Sequence, residues 1–372
     1  MRRCDAVVVG GGPAGSSCAW ALRRAGVDVL VMDRARFPRD KICAGWITPH
    51  VVEALELNTG DYAANGLTLQ PITAFRTGVV DGPAVDTSYD RIVSYGIRRC
   101  EFDHYLLQRS RARLLTETPL RSLVRRGDTW VANDEIEAPV VIGAGGHFCP
   151  VAKMVGRTNR PEGLIVAQEA ELQLPAEAAC LVSATRPELY FCDDLEGYGW
   201  CVRKGNYLNV GLGRRENGAF PAHVKDFVAW LERSGRAPAI ATKARWKGHA
   251  YLLAGSVSTP LVDDGLLLIG DAAGLAYPES GEGIRTAVES GLRAARTLLA
   301  IRGRRRADLI GYEQTLRANH PSAGVADLLP RSVVRSLGRW LLGNPHFTRR
   351  VVLDRWFLRS NAAAKAVLDA AA

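Results

Sequence analysis

Asp5-Ala6-Val7-Val8-Val9-Gly10-Gly11-Gly12-Pro13-Ala14-Gly15 is the stretch that decides the fold of this 372-residue chain. A short run of small and β-branched apolar residues reads as a buried strand, and a G-x-G-x-x-G turn follows it directly. Ser16 to Ala25 has helical composition, and Val27-Asp28-Val29-Leu30-Val31-Met32 then reads as a second buried strand ending at Asp33. Strand, glycine turn, helix and strand in that order make a β-α-β unit. Gly10 permits the tight turn, Gly12 lets the backbone approach a pyrophosphate, and Gly15 lets helix and strand pack closely. The helix N-terminus that follows Gly12 offers amide donors, though none from Pro13 itself, and the positive end of a helix dipole. Asp33 stands where a carboxylate accepts hydrogen bonds from ribose hydroxyls. The stretch therefore predicts a dinucleotide site, and by itself it serves NAD and FAD alike.

Composition bounds the rest. Hydrophobic residues make up 47% of the chain and charged residues 23%, the balance of a globular protein with a large core and not of a disordered one. No apolar run approaches the roughly 18 residues of a membrane-spanning helix. The eight cysteines are scattered without a C-x-x-C pair, so neither a zinc site nor a redox dithiol is written, and no metal is expected. The apolar stretch after Arg3 is too short for a signal peptide. A reducing cytoplasmic setting with free thiols is expected. Basic residues outnumber acidic ones, 48 to 39, for a net charge of +9. No basic stripe interleaved with aromatics appears, so nucleic acid is not an expected partner.

Further along lie Asp33-Arg34, Arg36-Phe37-Pro38-Arg39-Asp40-Lys41-Ile42-Cys43-Ala44-Gly45, Arg99-Cys100-Glu101-Phe102-Asp103 and Leu266-Leu267-Leu268-Ile269-Gly270-Asp271-Ala272-Ala273-Gly274. Pro278 and Gly281-Glu282-Gly283-Ile284 follow closely. This set resembles the FAD-dependent oxidoreductases with the p-hydroxybenzoate hydroxylase fold, in particular the geranylgeranyl reductase family, from residue 1 to about 320. The resemblance implies FAD as cofactor. It places Arg34, Ala44, Arg99, Gly270, Asp271, Gly281, Gly283 and Ile284 around it beside Gly10, Gly12, Pro13, Ala14, Gly15 and Asp33. In its own chemistry, an apolar strand delivers Asp271 to a small-residue turn, where a carboxylate meets ribityl hydroxyls. The resemblance implies that the expected helix Ile284 to Ala300 turns its first amides toward the isoalloxazine. One departure from the wider fold is Gly145, in Val140 to His147, where an aspartate is usual. No second complete nucleotide fingerprint follows, so the electron donor is expected to be a transiently bound NAD(P)H or a ferredoxin-like carrier.

Between about residues 165 and 255 short alternating segments predict an antiparallel sheet. Gly197 to Gly205 and Asn209 to Gly213 resemble the family's signature, in which Tyr198 and Trp200 line a cavity beside the flavin, although Val202-Arg203 replaces the usual Phe-Pro. Trp46 is placed with them. Such a wall suits an extended apolar ligand, a small molecule or lipid chain. Cys43 occupies the family's K-x-C-type position and is the candidate catalytic group, while His50 and His147 read as structural. Arginines interleaved with Leu, Val and Trp over 328–372 make a basic amphipathic region suited to peripheral contact with anionic lipid at the inner face of the membrane, or to docking on the rest of the chain.

The expected class is α/β (α+β overall), with a Rossmann-like FAD-binding domain (1–60, 91–165, 255–325) interleaved with an antiparallel-sheet substrate domain (61–90, 166–254) and a C-terminal helical region (326–372). The expected activity is reduction of carbon–carbon double bonds in an isoprenoid or similar chain. The alternative is an FAD-dependent monooxygenase of an aromatic or polyketide substrate.

Overall fold

In the computed structural model, which describes residues 1–156, 164–175, 180–215, 218–238, 243–254, 260–318 and 331–359, the opening strand Ala6–Val9 sits inside a six-stranded sheet. It lies between Val140–Gly143 and Val29–Met32, with Leu266–Leu268 and Arg113–Leu115 outside them and Val262–Asp263 at one edge. Every neighbouring pair is parallel except that edge. A parallel sheet is covered on both faces, which is why these strands are continuous apolar runs and why all four residues of Ala6–Val9 and of Val29–Met32 are buried.

Helix Pro13–Arg24 follows the glycine turn, and the expected late helix forms over Ile284–Ala300. The two cross at backbone contact: a Cβ on Gly291 would lie 2.3 Å from the Ala14 carbonyl oxygen. Gly10 has φ +119°, and a Cβ there would meet the Ala144 carbonyl oxygen at 2.3 Å, so only glycine closes this turn against the neighbouring strand.

A seven-stranded sheet runs in the order Lys247–Leu252, Leu164–Gln173, Tyr207–Arg215, Gly197–Lys204, Glu188–Phe191, Ala74–Val79, Ala84–Ser88. It is antiparallel as expected except where Glu188–Phe191 pairs parallel with Ala74–Val79, a strand that arrives from an earlier excursion of the chain. Register fixes its two faces. Trp200 opposes Gly211, Glu169 opposes Gly211 from the other side, and Ala167 opposes His249, so Ala167, Glu169, Trp200 and His249 share one face. The other face, with Ala170, Tyr190, Cys201, Val210 and Leu212, packs on helix Phe220–Arg233. Two smaller sheets are present among the described residues. Trp46–Ile47, Ser94–Ile97 and Leu69–Ile72 form one, and Arg2–Arg3, Ile136–Ala138, Thr129–Ala132 and Leu123–Arg126 form the other.

The C-terminal region is helical over its described part. Helix Arg331–Leu342 is followed by the short turn Pro345–Phe347 and a widened π-helical stretch, Thr348–Phe357. Residues 326–330 and 360–372 of the expected region lie outside the described residues.

Because the helix crossing leaves no room for a methyl group, Gly291→Ala is expected to destabilise the fold by roughly 1–3 kcal/mol. Urea unfolding of the variant beside the parent checks this, and an unchanged midpoint would refute the crossing.

Candidate active site

The glycine turn and the seven-stranded sheet line opposite sides of one cavity of about 700 Å³. Two helix starts face it: Gly12, Pro13 and Ala14 from one helix, and Gly283, Ile284 and Ala287 from the other. Neither N-cap, Gly12 or Gly283, has a side chain to satisfy the first-turn amides. Such bare termini accept an anion or a carbonyl oxygen. A Cβ on Gly12 would meet only the Arg39 guanidinium, at 3.3 Å, so the backbone is bare toward the cavity. Asp33 is fixed at the rim, its carboxylate accepting the Gly11 N–H at 2.7 Å and the Ala35 N–H at 2.8 Å. Asp271 lines the cavity with one oxygen against Gly283, 3.2 Å from where its Cβ would be. Arg34, Ala44 and Gly281 line it too. Gly281 has φ +67°, and a Cβ there would strike the Tyr251 hydroxyl. Bare amides at both ends with a carboxylate beside each fit a flavin dinucleotide. Of the expected cofactor residues, Gly15 and Gly270 do not line the cavity. Gly15 abuts the Gly10 carbonyl, and Gly270 spaces Ala14 from Ala287.

Arg99 lines the cavity as one member of a charge cluster. It pairs with Asp103 at 2.8 and 2.9 Å, and Arg39 reaches the same carboxylate at 3.3 Å. Burial opposes the charge on Arg99, but Asp103 and the neighbouring Cys43 thiol outweigh it and hold the guanidinium above its ordinary pKa. Any phosphate or ribityl contact from Arg99 is therefore shared with Asp103.

Cys43 is half-buried at the cavity wall, and its peptide is gripped from the sheet. Its N–H donates to Glu169 at 2.8 Å, and its carbonyl accepts from the Asn209 amide at 3.4 Å. Asn209 in turn accepts the Trp200 indole N–H at 2.6 Å. Fully buried Lys204 pairs with Glu171 at 2.7 Å in the same group. Burial raises Glu169 to about 7, with Lys204 opposing the shift. Closer to the cavity, the Lys41 ammonium meets His249 Nε2 at 2.5 Å. Burial lowers Lys41 to about 8 against the pull of Asp271, and burial together with Lys41 lowers His249 to about 2, so the imidazole is neutral and accepts.

Tyr198, Trp200 and Trp46 line the cavity. The Tyr198 hydroxyl donates to the Ser280 carbonyl at 2.5 Å, which joins the aromatic wall to the turn that precedes Gly283. His147 lines the wall edge-on to Phe148, and His50 pairs with Glu289 at 3.0 Å. Sequence reading missed Glu169, Lys204, His249 and Tyr251. The signal was present in alternation: Ala167-x-Glu169-x-Glu171 puts two acids on the face of a strand that also carries an apolar residue.

Residues 8–66 match a family model described as an NAD(P)-binding Rossmann-like domain, and residues 107–325 match one described as an FAD binding domain. A geranylgeranyl diphosphate reductase of Rhodobacter capsulatus is 32% identical over 312 residues, 80% of this chain and 75% of that protein. The chain belongs to the geranylgeranyl reductase family. It is an FAD-dependent oxidoreductase. Family relatives extend to a menaquinone reductase of Mycobacterium tuberculosis, 29% identical over 317 residues, 79% of this chain and 76% of that one. The crystal structure of a geranylgeranyl bacteriochlorophyll reductase-like protein from Thermoplasma acidophilum superposes with a TM-score of 0.72 at 19% identity, covering 92% of this chain and 88% of that one, and so shares the fold.

The raised pKa of Glu169 fixes a sign. From about pH 4.5 to 7 the folded chain keeps a proton on this group that the unfolded chain releases, so its contribution makes stability fall as pH rises through that window. Glu169→Gln is expected to remove up to about 3 kcal/mol of that dependence. Urea unfolding near pH 5 and pH 8 measures it, and identical slopes in variant and parent would contradict the assignment.

Proposed function

We propose that this family member saturates carbon–carbon double bonds of an isoprenoid or similarly apolar chain. The observation that carries the reading is the wall of Trp46, Tyr198 and Trp200, which faces two bare helix N-termini across a single cavity and is bonded through Tyr198 to the turn before one of them. A reduced flavin supplies hydride when bound. The chain's own residues do the rest. The two helix starts with Asp33 and Asp271 bind and orient the dinucleotide. The aromatic wall lays the apolar chain alongside it without asking for directional partners and keeps water out. Cys43 Sγ, at the cavity wall, is the group that delivers the proton to the second carbon. Glu169 and Asn209 keep the Cys43 peptide in place by holding both of its polar groups. Electrons reach the cofactor from NAD(P)H or a ferredoxin-like carrier.

A lipid surface fits this reading as a partner. Among the described residues no helix is long and apolar enough to cross a membrane. Helix Arg331–Leu342, however, exposes Leu337 and Trp340 on a basic segment, and these are the side chains that would enter an anionic headgroup layer. Co-sedimentation with vesicles rich in anionic lipid is expected to fall on Trp340→Ser, and equal binding by the variant would contradict this contact.

The direct test of the reaction is mass spectrometry of a geranylgeranyl lipid after anaerobic incubation with the chemically reduced protein, beside an aerobic sample fed NADPH. Gain of hydrogen pairs is expected. Gain of oxygen in the aerobic sample alone would instead assign a monooxygenase. Cys43→Ala is expected to keep its FAD absorbance and lose about 100-fold or more in turnover.

A further inference from the structure

The matched FAD binding domain ends at residue 325, so the described residues 331–359 lie beyond it. Leu342, Val352, Leu353, Phe357 and Leu358 of this segment are buried in one core with Trp46, Ala167 and Trp200, and the partly buried Tyr198 packs against that core. Trp46, Ala167, Tyr198 and Trp200 also line the cavity. The segment therefore stands directly behind the cavity's apolar end.

Phe357 makes the closest ring contacts there. Its ring lies 6.2 Å from that of Trp46 and meets Tyr198 edge-on at 5.3 Å, and the residue is 1% exposed. The segment is latched on both sides. Arg359 pairs with Glu279 at 3.0 Å and lies 3.3 Å over the Tyr277 ring, and the Tyr89 hydroxyl donates to Asp354 at 2.8 Å. Glu279 adjoins Ser280, whose carbonyl holds Tyr198. Phe357 is thus held in place from the same turn that carries the cofactor-facing glycines.

We propose that Phe357 backs the end wall that Trp46 and Tyr198 give the substrate cavity and so sets how deep an apolar chain reaches. The inference rests on the reading that the ligand is an apolar chain. Such a chain gains affinity with each methylene it buries until it meets the wall. Carbons beyond that point stay in water or must displace a ring packed on two others. Shortening the side chain opens space directly behind Trp46 and Tyr198, and enlarging it brings the wall forward.

The test uses the full flavin-loaded chain as parent, Phe357→Leu and Phe357→Trp, with geraniol, farnesol and geranylgeraniol as probes and tryptophan-fluorescence quenching as the binding readout. Phe357→Leu is expected to shift relative affinity toward geranylgeraniol by about tenfold, and Phe357→Trp toward geraniol. The opposite directions cannot be imitated by a general loss of structure, and if Phe357→Trp fails to take up FAD the leucine variant decides alone. An unchanged ranking of the three alcohols in FAD-loaded variants overturns the proposal, as does failure of any alcohol to bind the parent. Length-dependent binding without reduction would uphold the wall and refute the reductase reading.

Discussion

Backbone contact between the helices Pro13–Arg24 and Ile284–Ala300 is the constraint on which the site depends. At Gly291 the second helix meets the Ala14 carbonyl with no space for a side chain, and Gly270 keeps Ala14 from Ala287 one turn earlier. This crossing brings two uncapped N-termini to one cavity although about 270 residues separate them in sequence. Neither terminus would be satisfied there without a polar ligand or water, because the N–H groups that each helix start carries lack intrahelical acceptors, Pro13 having none to offer. The cofactor site is in this sense the place where the fold leaves its own backbone unfinished.

Opposite that constraint stands the sheet, whose period-two register sorts chemistry by face. One face gives the helix Phe220–Arg233 its apolar surface, and the other presents aromatics beside a group of buried charges. Those charges do not act as free ions. Glu171 neutralises Lys204, Asp103 neutralises Arg99, and Glu169 is pushed toward its neutral form while it anchors the Cys43 peptide. Removing one partner would leave another group buried and uncompensated, which costs more than the pair contributes. The grip on Cys43 comes from the sheet, so the loop between Lys41 and Gly45 is positioned by both halves of the molecule at once.

Much of this was legible in the sequence because glycine spacing and hydrophobic runs are local signals. Ala6–Val9, the turn from Gly10 to Gly15 and the late helix starting at Ile284 follow from residues within a few positions of each other. Tyr198 and Trp200, singled out by the family resemblance, line the cavity together with Trp46. Glu169, Lys204 and His249 were not legible in the same way, since an acid or a base on a strand shows its role only once the register says which face it takes. Helix Phe220–Arg233 was hidden inside a region read as strands, although Phe220, Val224, Phe227 and Leu231 repeat every three or four residues. The stretch 348–359 sets Phe357 behind the cavity wall through ring contacts with Trp46 and Tyr198, and no pattern within the segment announces them.

The central claim is that one cavity holds a reduced flavin against an apolar chain and passes hydride to it. Its most direct measurement is the visible absorbance of the anaerobic, chemically reduced protein after a geranylgeranyl chain is added in the absence of oxygen. The account predicts that the oxidised flavin spectrum returns in proportion to the double bonds saturated. A flavin that stays reduced until oxygen is admitted would contradict it.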